Sequence, residues 1–445
     1  MEKKYYIQTF GCQMNVHDSE QIAVLLREAG YECTGDAPDA DLIILNTCSI
    51  REKAAQKVYS QLGRFSDIKR RNPRLIIGVG GCLAQQWGGK FLKKAPCLNL
   101  VFGTNNIHRL PELINTVETT SLPVVETAFH GASSRSIGIR ALPQNGQVSA
   151  YVTIMQGCNN FCSYCVVPYL RGPEESRKLE DIISEIACLA SHGIKEVTLL
   201  GQNVNSYGNA ASNGTDFVGL LRKIAEVDSI ERIRFTTSHP KDLSPSLVRS
   251  FTEIDKLCEH IHLPVQSGSD RMLKAMNRGY TKKDYLEKVT QLRDICPDVS
   301  ITSDIIVGFP GETDDDFQET IDLVEKIKFD SLFSFKYSER EGTAAAKLNH
   351  RVSEPAKAER LRIIQFLQEK HTLEKNKAMA GRVVDVLVEG RSKSSSREAM
   401  GRTRTNKIVN FKGGLELIGK ITPLVITEGY QHSLHGKLQL KKEID

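Results

Sequence analysis

Long apolar runs are missing from this 445-residue chain: none reaches the roughly 18 residues that a membrane-spanning helix needs. The start, Met1-Glu2-Lys3-Lys4-Tyr5-Tyr6, carries no apolar signal-peptide segment, so a cytoplasmic protein is expected, with no membrane partner. Aromatic residues make up only 7%, tryptophan occurs once, and no low-complexity tract or internal repeat is evident. What remains is ordinary: apolar residues at 40% and charged residues at 25%. These values exclude disordered, collagen-like and disulfide-scaffold classes. The length excludes a single small module and suggests about three domains.

Charge is close to balanced except at the end of the chain. Asn376 to Asp445 holds 13 Lys and Arg against 7 Asp and Glu, while the other 375 residues sum to −1. A basic tail on a near-neutral body suggests a polyanion partner. RNA or DNA fits better than a membrane, because no amphipathic Lys/Arg helix accompanies the tail; a merely solvated charged surface is the alternative. The eleven cysteines, an odd number in a chain read as cytosolic, point to metal or reactive thiols rather than structural disulfides.

Periodicity predicts three parts. Apolar strands Tyr5–Thr9, Leu42–Leu45, Leu75–Val79 and Leu100–Phe102 alternate with helices Val16–Ala29, Glu52–Lys69 and Ile107–Val117, the pattern of a parallel sheet with crossover helices. The Ser-, Gly- and Pro-rich stretch Leu122–Asn145 reads as a boundary. A second series follows: Tyr151–Met155, Glu196–Leu200, Arg232–Thr236, Ile261–Leu263, Ile301–Val307 and Ser331–Tyr337. Six such strands fit an open partial (β/α)6 barrel better than a closed eight-stranded one. Pro355–Lys377 reads as a connecting helix. Beyond it the short runs Val383–Val388, Lys407–Phe411 and Leu424–Thr427 suggest a small five-stranded barrel of the oligonucleotide-binding kind. The fold class expected is therefore α/β, with a β-barrel at the C-terminus.

Cysteines cluster in this framework. Cys158, Cys162 and Cys165 form a C-x-x-x-C-x-x-C run directly after the first strand of the middle part. Thiolates hold iron–sulfur clusters, and three ligands on a four-iron cube leave one iron open, as a catalytic metal site requires. A structural zinc completed by a distant fourth ligand is the alternative. Cys12, Cys48 and Cys82 each follow a strand of the first sheet, in Thr-Phe-Gly-Cys, Leu-Asn-Thr-Cys and Gly-Gly-Cys. Carboxyl ends of parallel strands open on one edge, so these thiols either converge on a second cluster or are three buried loop cysteines. The remaining five are read as small buried hydrophobes.

Gly157-Cys158-Asn159-Asn160-Phe161-Cys162-Ser163-Tyr164-Cys165 resembles the signature of radical S-adenosylmethionine (SAM) enzymes. Thr9-Phe10-Gly11-Cys12-Gln13-Met14-Asn15, Asn46-Thr47-Cys48-Ser49-Ile50-Arg51-Glu52-Lys53-Ala54 and Leu200-Gly201-Gln202-Asn203-Val204-Asn205-Ser206-Tyr207 resemble the methylthiotransferases among them, specifically the branch acting on isopentenylated adenosine in tRNA. The resemblance extends along nearly all of the chain. It implies two [4Fe–4S] clusters and SAM as cofactors. Cys158, Cys162 and Cys165 would hold the cluster that cleaves SAM, with Tyr164 lying against the adenine. Cys12, Cys48 and Cys82 would hold an auxiliary cluster that carries sulfur.

It further implies methylthiolation at C2 of N6-(dimethylallyl)adenosine at tRNA position 37, beside the anticodon, with two SAM molecules used. The partners implied are the anticodon stem-loop, an electron donor such as flavodoxin or ferredoxin, and a sulfur carrier; a monomer is expected. The domains expected are 1–121 for the auxiliary cluster, 144–375 for the radical SAM core, and 377–442 for a TRAM RNA-binding module. Relatives acting on a ribosomal-protein aspartate or on threonylcarbamoyladenosine are the alternatives within the class. A non-catalytic metal-containing RNA-binding protein is the alternative outside it.

Replacing an unactivated C–H bond on adenine is beyond ordinary acid–base groups, which leaves the protein the task of positioning SAM, base and sulfur together. Gln202, Ser238, Gln266 and Asp304 sit at or beside strand ends where they could bond the ribose and methionine parts of SAM; structural caps are the competing reading. Gly308-Phe309-Pro310-Gly311 is either a wall for a nucleoside or a plain tight turn. His239 and His262 are expected to hold loops rather than metal. In the tail, Arg391, Lys393, Arg397, Arg402, Arg404, Lys407 and Lys412 crowd into 22 residues. Arg402, Arg404 and Lys407 are the candidates for contact with RNA phosphates.

Overall fold

The computed structural model describes residues 2–49, 52–129, 143, 146–209, 214–393 and 395–439. The boundary stretch Leu122–Asn145 lies largely outside them, as do Ile50 and Arg51 of the second motif and the last residues of the tail. The chain forms two compact units, Met1–Leu142 with Tyr151–Asn159 and Val166–Asp181, and Pro143–Ala150 with Asn160–Cys165 and Ile182–Asp445.

The first unit is built on strands β1 (Lys3–Phe10), β2 (Tyr31–Cys33), β3 (Leu42–Thr47), β4 (Ile76–Gly81), β5 (Leu100–Phe102) and β6 (Val124–Glu126), all parallel, in the order β2-β1-β3-β4-β5-β6. Every residue of β3 and β4 is buried, as strands covered by helices on both faces must be. Alternation divides their side chains into two cores. Ile43, Leu45, Ile77, Val79 and Val101 face Val58, Leu62 and Phe65 of helix α2 (Glu52–Arg71). Leu42, Ile44, Ile76, Leu100 and Phe102 face Ile22 and Leu26 of α1 (Gln13–Glu28) and Leu113, Ile114 and Val117 of the helix Leu110–Thr120. The four expected strands are present. Strands β2 and β6, only three residues each on the sheet edges, were not expected, because so short a run shows no period.

The next strands are β7 (Ser149–Thr153), the short antiparallel pair β8 (Met155–Gln156) and β9 (Glu175–Ser176), then β10 (Glu196–Leu200), β11 (Arg232–Phe235), β12 (His260–His262), β13 (Ser300–Val307) and β14 (Ser331–Lys336). They form two three-stranded sheets, β11-β10-β7 and β12-β13-β14, bridged in parallel at Ile233 and Leu257. All six barrel strands expected from the sequence are there, within two residues at each end. The helix Glu354–Lys377 then leads to β15 (Val383–Arg391), β16 (Ala399–Thr403), β17 (Ile408–Phe411), β18 (Ile421–Gly429) and β19 (Leu434–Leu438), a closed five-stranded barrel. Val386, Val388, Val409, Phe411, Leu424, Ile426 and Leu434 fill it, and closure leaves no free edge to aggregate.

In the second unit the barrel is fastened to the core by buried arginines of β11. Arg232 donates to the carbonyls of Arg402 and Asp385 (2.7 and 2.9 Å), and Arg234 to those of Arg404 and Thr403 (2.8 and 2.7 Å). Arg234 is neutralised by the buried Glu196 at 2.9 Å. Charge-assisted bonds to buried carbonyls are strong, so the barrel and the core are held as one body.

Candidate active site

In the first unit the three strand-end cysteines share one edge. Register pairs Phe10 with Thr47 and Thr47 with Gly81, which places Cys12, Cys48 and Cys82 just past the ends of three adjacent strands. Cys12 is the N-cap of α1, and Cys82 opens the short helix α3 (Cys82–Trp87). Two fully buried amides stitch the loops together. The Asn15 Oδ1 accepts from the Cys12 backbone N–H (3.2 Å), its Nδ2 donates to Asn46 Oδ1 (3.3 Å), and Asn46 returns a bond to the Asn15 carbonyl (2.8 Å). Gly81 is held at φ +91°, where a Cβ would lie 2.4 Å from the Thr47 carbonyl, so only glycine admits this turn.

The chemistry of this edge suits thiolates. A hydrogen bond from Cys48 lowers the Cys12 thiol to about 6 against the opposing effect of burial, and Arg171 pulls it the same way. Burial raises the Cys82 thiol, while the charge and a hydrogen bond of Arg171 oppose that rise. Arg171 is itself buried and paired at 2.7 Å with Asp18, equally buried. Burial opposes its charge, but Asp18 and Cys82 hold its pKa well above the ordinary arginine value. Cys82 also packs against Val166 and Leu170, so its side of the site is dry, with the Arg171–Asp18 pair buried beside it. Neither Arg171 nor Asp18 stood out in the sequence; nothing but packing brings them to the thiols.

The C-x-x-x-C-x-x-C loop is shaped by strained backbone. Gly157 has φ +79°, with a Cβ position 1.9 Å from the Pro173 carbonyl, and the Cys158 N–H donates to Gly172 at 3.3 Å. In the second unit Phe161 and Asn277 both adopt positive φ, and the Asn277 amide donates to the carbonyls of Asn160 and Phe161 (3.3 and 3.0 Å). Such conformations cost roughly 1–3 kcal/mol each and gather at functional sites. Arg278, buried and facing no carboxylate among its recorded hydrogen-bond partners, donates to Cys162 Sγ (3.2 Å), the Tyr164 hydroxyl (3.3 Å), the Tyr280 hydroxyl (3.0 Å) and the Pro264 carbonyl (2.7 Å). Burial pushes the Tyr164 phenol well above its usual value, against the pull of Arg278. The Tyr164 ring packs with Ile306 on Met272, Met276 and Phe309. Arg278 was invisible to sequence reading for the same reason as Arg171.

Past the ends of β11 and β12 lie buried polar atoms with no protein partner: Ser238 Oγ, His239 Nε2 and Gln266 Oε1, with Asn203 Oδ1 after β10. Thr237 and Gln266 sit at φ +69° and +73°. Unsatisfied buried groups on strained backbone are what a polar ligand such as SAM would complete. Gln202 lies in the loop after β10. Asp304, on β13, faces His262 Nε2 at 3.4 Å. His239 caps a turn by accepting from the Lys241 N–H (3.2 Å), and His262 bonds Thr302 (3.0 Å), so both hold loops. At Gly308-Phe309-Pro310-Gly311 the turn is fixed internally: Glu312 accepts from the Gly308 N–H at 2.6 Å and pairs with Arg360 at 2.6 Å.

The three tail cations named as candidates for RNA contact each meet an acidic side chain. Arg404 is locked on Glu259 with bonds of 2.6–2.9 Å and on the Leu257 carbonyl at 2.6 Å. Arg402 pairs with Glu389 (3.1 Å) and Lys407 with Asp330 (3.4 Å). Each of the three therefore has a carboxylate of the protein beside it. Arg391, Lys393, Arg397 and Lys412 are exposed.

Among the described residues no three or more His, Cys, Asp or Glu lie close enough to hold a single metal ion. One zinc draws all its sulfur ligands to about 2.3 Å, whereas a cube spreads its thiolates over separate irons. The edge of three thiols around Cys12, with the Arg171 guanidinium acting on Cys12 and Cys82, fits the cube. Also among the described residues, no helix is long and apolar enough to cross a membrane.

Six βα strands, a three-cysteine loop after the first of them and a closed β-barrel behind the last define the class: a radical SAM enzyme. Residues 152–324 match the Radical SAM superfamily, residues 4–103 the uncharacterized protein family UPF0004, and residues 377–439 the TRAM domain. Two solved radical SAM enzymes share the fold at 14% identity. TsrM of Kitasatospora setae, a methyltransferase with cobalamin and a [4Fe-4S] cluster bound, covers 78% of this chain and 74% of its own at a TM-score of 0.55. The cobalamin-dependent OxsB covers 83% and 56% at 0.53. The tRNA-2-methylthio-N(6)-dimethylallyladenosine synthase of Syntrophus aciditrophicus is 64% identical over 98% of this chain and 95% of its own. That of Geobacter sulfurreducens is 52% identical over 99% of each. The chain belongs to the family of tRNA-2-methylthio-N(6)-dimethylallyladenosine synthases.

Proposed function

We propose that this chain methylthiolates C2 of N6-(dimethylallyl)adenosine in tRNA, at the position beside the anticodon. The observation that carries the reading is the pair of cysteine sets, one past the ends of three parallel strands and one in the loop after β8, in a chain 64% identical over nearly its whole length to a synthase of that name. Cys158, Cys162 and Cys165 would hold a [4Fe–4S] cluster with one open iron for SAM, and Cys12, Cys48 and Cys82 the auxiliary cluster. When bound, the first supplies the electron that breaks the SAM sulfonium bond and the second supplies sulfur.

The protein's own residues do the positioning. Ser238, Gln266 and Asp304, with Gln202 beside them, orient the methionine and ribose of SAM, and Tyr164 packs along its adenine. The unpartnered Ser238 and Gln266 atoms support this. Arg278 fixes Cys162 and Tyr164 as a pair. The apolar shell of Met272, Met276 and Phe309 keeps water from the radical. Arg171 balances the thiolates around Cys12. The division 1–121, 144–375 and 377–442 assigns the auxiliary cluster, the SAM chemistry and RNA binding to separate segments. Single-electron reduction calls for a flavodoxin- or ferredoxin-type donor, repeated turnover for a sulfur carrier, and the enzyme works as a cytoplasmic monomer.

The test is direct. Anaerobically reconstituted protein is incubated with SAM, dithionite and an isopentenylated anticodon stem-loop, and the nucleosides are weighed. A methylthio gain on the prenylated adenosine is expected, with about eight irons per chain from two cubes. C158A/C162A/C165A should lose about half the iron and all SAM cleavage, and C12A/C48A/C82A should keep SAM cleavage but lose methylthiolation. Product from either triple variant refutes the reading.

A further inference from the structure

Strand β14 ends the sheet order β12-β13-β14, so among the described residues its outer edge has no strand partner. On it Phe333 and Phe335 stand 51% and 37% exposed. Register fixes which way they face. Phe333 pairs with Asp304 and Phe335 with Ile306 of β13, and Thr302 of β13 pairs with His262 of β12. Paired residues lie on one side of a sheet. On β13 the other side, Ile301, Ile305 and Val307, is fully buried, as the layer against the helices must be, while Asp304 and Ile306 stay partly open. Phe333 and Phe335 therefore face the barrel interior. Contacts agree: the His262 ring meets Phe333 edge-on with centroids 6.1 Å apart, and Ile306 packs with Tyr164 beside Cys162.

The same two phenylalanines line a groove of about 550 Å3 along the edge of β14, which Asp330, Glu369 and amides of the helix Glu354–Lys377 line together with Arg402, Lys407 and His432. Aromatic faces beside a polar wall of amides and carboxylate-paired Arg402 and Lys407 match single-stranded RNA: bases stack on the rings and the sugar-phosphate chain bonds the polar wall.

We propose that Phe333 and Phe335, with His262 behind them, form the receptor for the prenylated base. One ring takes the adenine face and the other takes the five-carbon dimethylallyl tail, while the neighbouring nucleotides run along the Arg402–Lys407 groove. This rests on the tRNA reading above and adds to it the residues that tell a prenylated from a plain adenosine. Five apolar carbons moved out of water against aromatic rings carry ample discrimination.

The test uses full-length reconstituted protein and two anticodon stem-loops that differ only in the dimethylallyl group, with Kd from anisotropy and kcat/KM by competition. The wild type should bind the prenylated RNA at least about tenfold more tightly. F333A and F335A should erase that preference while iron content and substrate-free SAM cleavage stay near wild type. F333L and F335L, which keep apolar bulk without a π face, should keep part of the preference and lose base affinity. A preference unchanged in both alanine variants overturns the proposal, as does a wild type that modifies the prenylated RNA but binds both RNAs alike. A wild type that modifies neither RNA counts instead against the functional reading.

Discussion

Arg171 and Asp18 offer the sharpest energetic test. Their side chains are 5% and 7% exposed and meet at 2.7 Å, far from the regime in which solvent reduces an ion pair to below ~1 kcal/mol. Deleting one partner strands a buried charge, which costs about 3–5 kcal/mol. R171M leaves the Asp18 carboxylate alone under α1, and D18N leaves the guanidinium facing only the thiols. At 2–4 °C per kcal/mol for a body of this size, each single variant should lower the melting temperature of its unit by roughly 6–20 °C. D18L/R171M removes both charges and fills the space, so it should recover most of that loss. The assay is a double-mutant cycle by thermal unfolding of apo protein, following the transition of the first unit. A coupling below about 1 kcal/mol, or a double variant as unstable as the sum of the singles, would refute the claim that these charges depend on one another. Reconstituted R171M should also bind the auxiliary irons less tightly, seen as faster iron loss to a chelator.

Two further outcomes follow from the same reasoning. His239 is lowered to about 2 by burial, with Arg278, Lys241 and Lys288 adding to the shift. The unfolded chain therefore binds a proton below about 6.5 that the folded chain refuses, so stability falls as pH drops through that value and is retained above it. At pH 5 the loss is about 2 kcal/mol; H239Q should flatten this part of the pH dependence, and an unchanged slope would show that the site is wetter than the structure has it. Replacing the exposed Arg391, Lys393, Arg397 and Lys412 with alanine should weaken tRNA binding and shallow its salt dependence by about 0.7–0.9 per lost phosphate contact. R404A should instead lower thermal stability by freeing the barrel from Glu259, and a salt slope altered only by R404A would reverse that assignment.

Much of the architecture was open to sequence reading because it is local. A parallel strand covered on both faces is an unbroken apolar run, so Leu42–Leu45 announces itself, and loop cysteines directly after such strands share an edge by topology. Asn15 and Asn46, which stitch two cysteine loops, already stood in the motifs beside Cys12 and Cys48. The three-residue strands Tyr31–Cys33 and Val124–Glu126 at the edges of the first sheet show no period and were missed.

What the chain alone determined, then, is where the cysteines sit along it and which strands carry them, since strand period and thiol spacing are properties of neighbours. Only the folded molecule decided which charges are free. Arg404, in a basic stretch of the tail, meets Glu259, 145 residues away. Arg171 and Arg278, unremarked in sequence, stand beside Cys82 and Cys162. A guanidinium's role depends on the counter-charge and water left to it, and both are settled by contacts between segments distant in the chain.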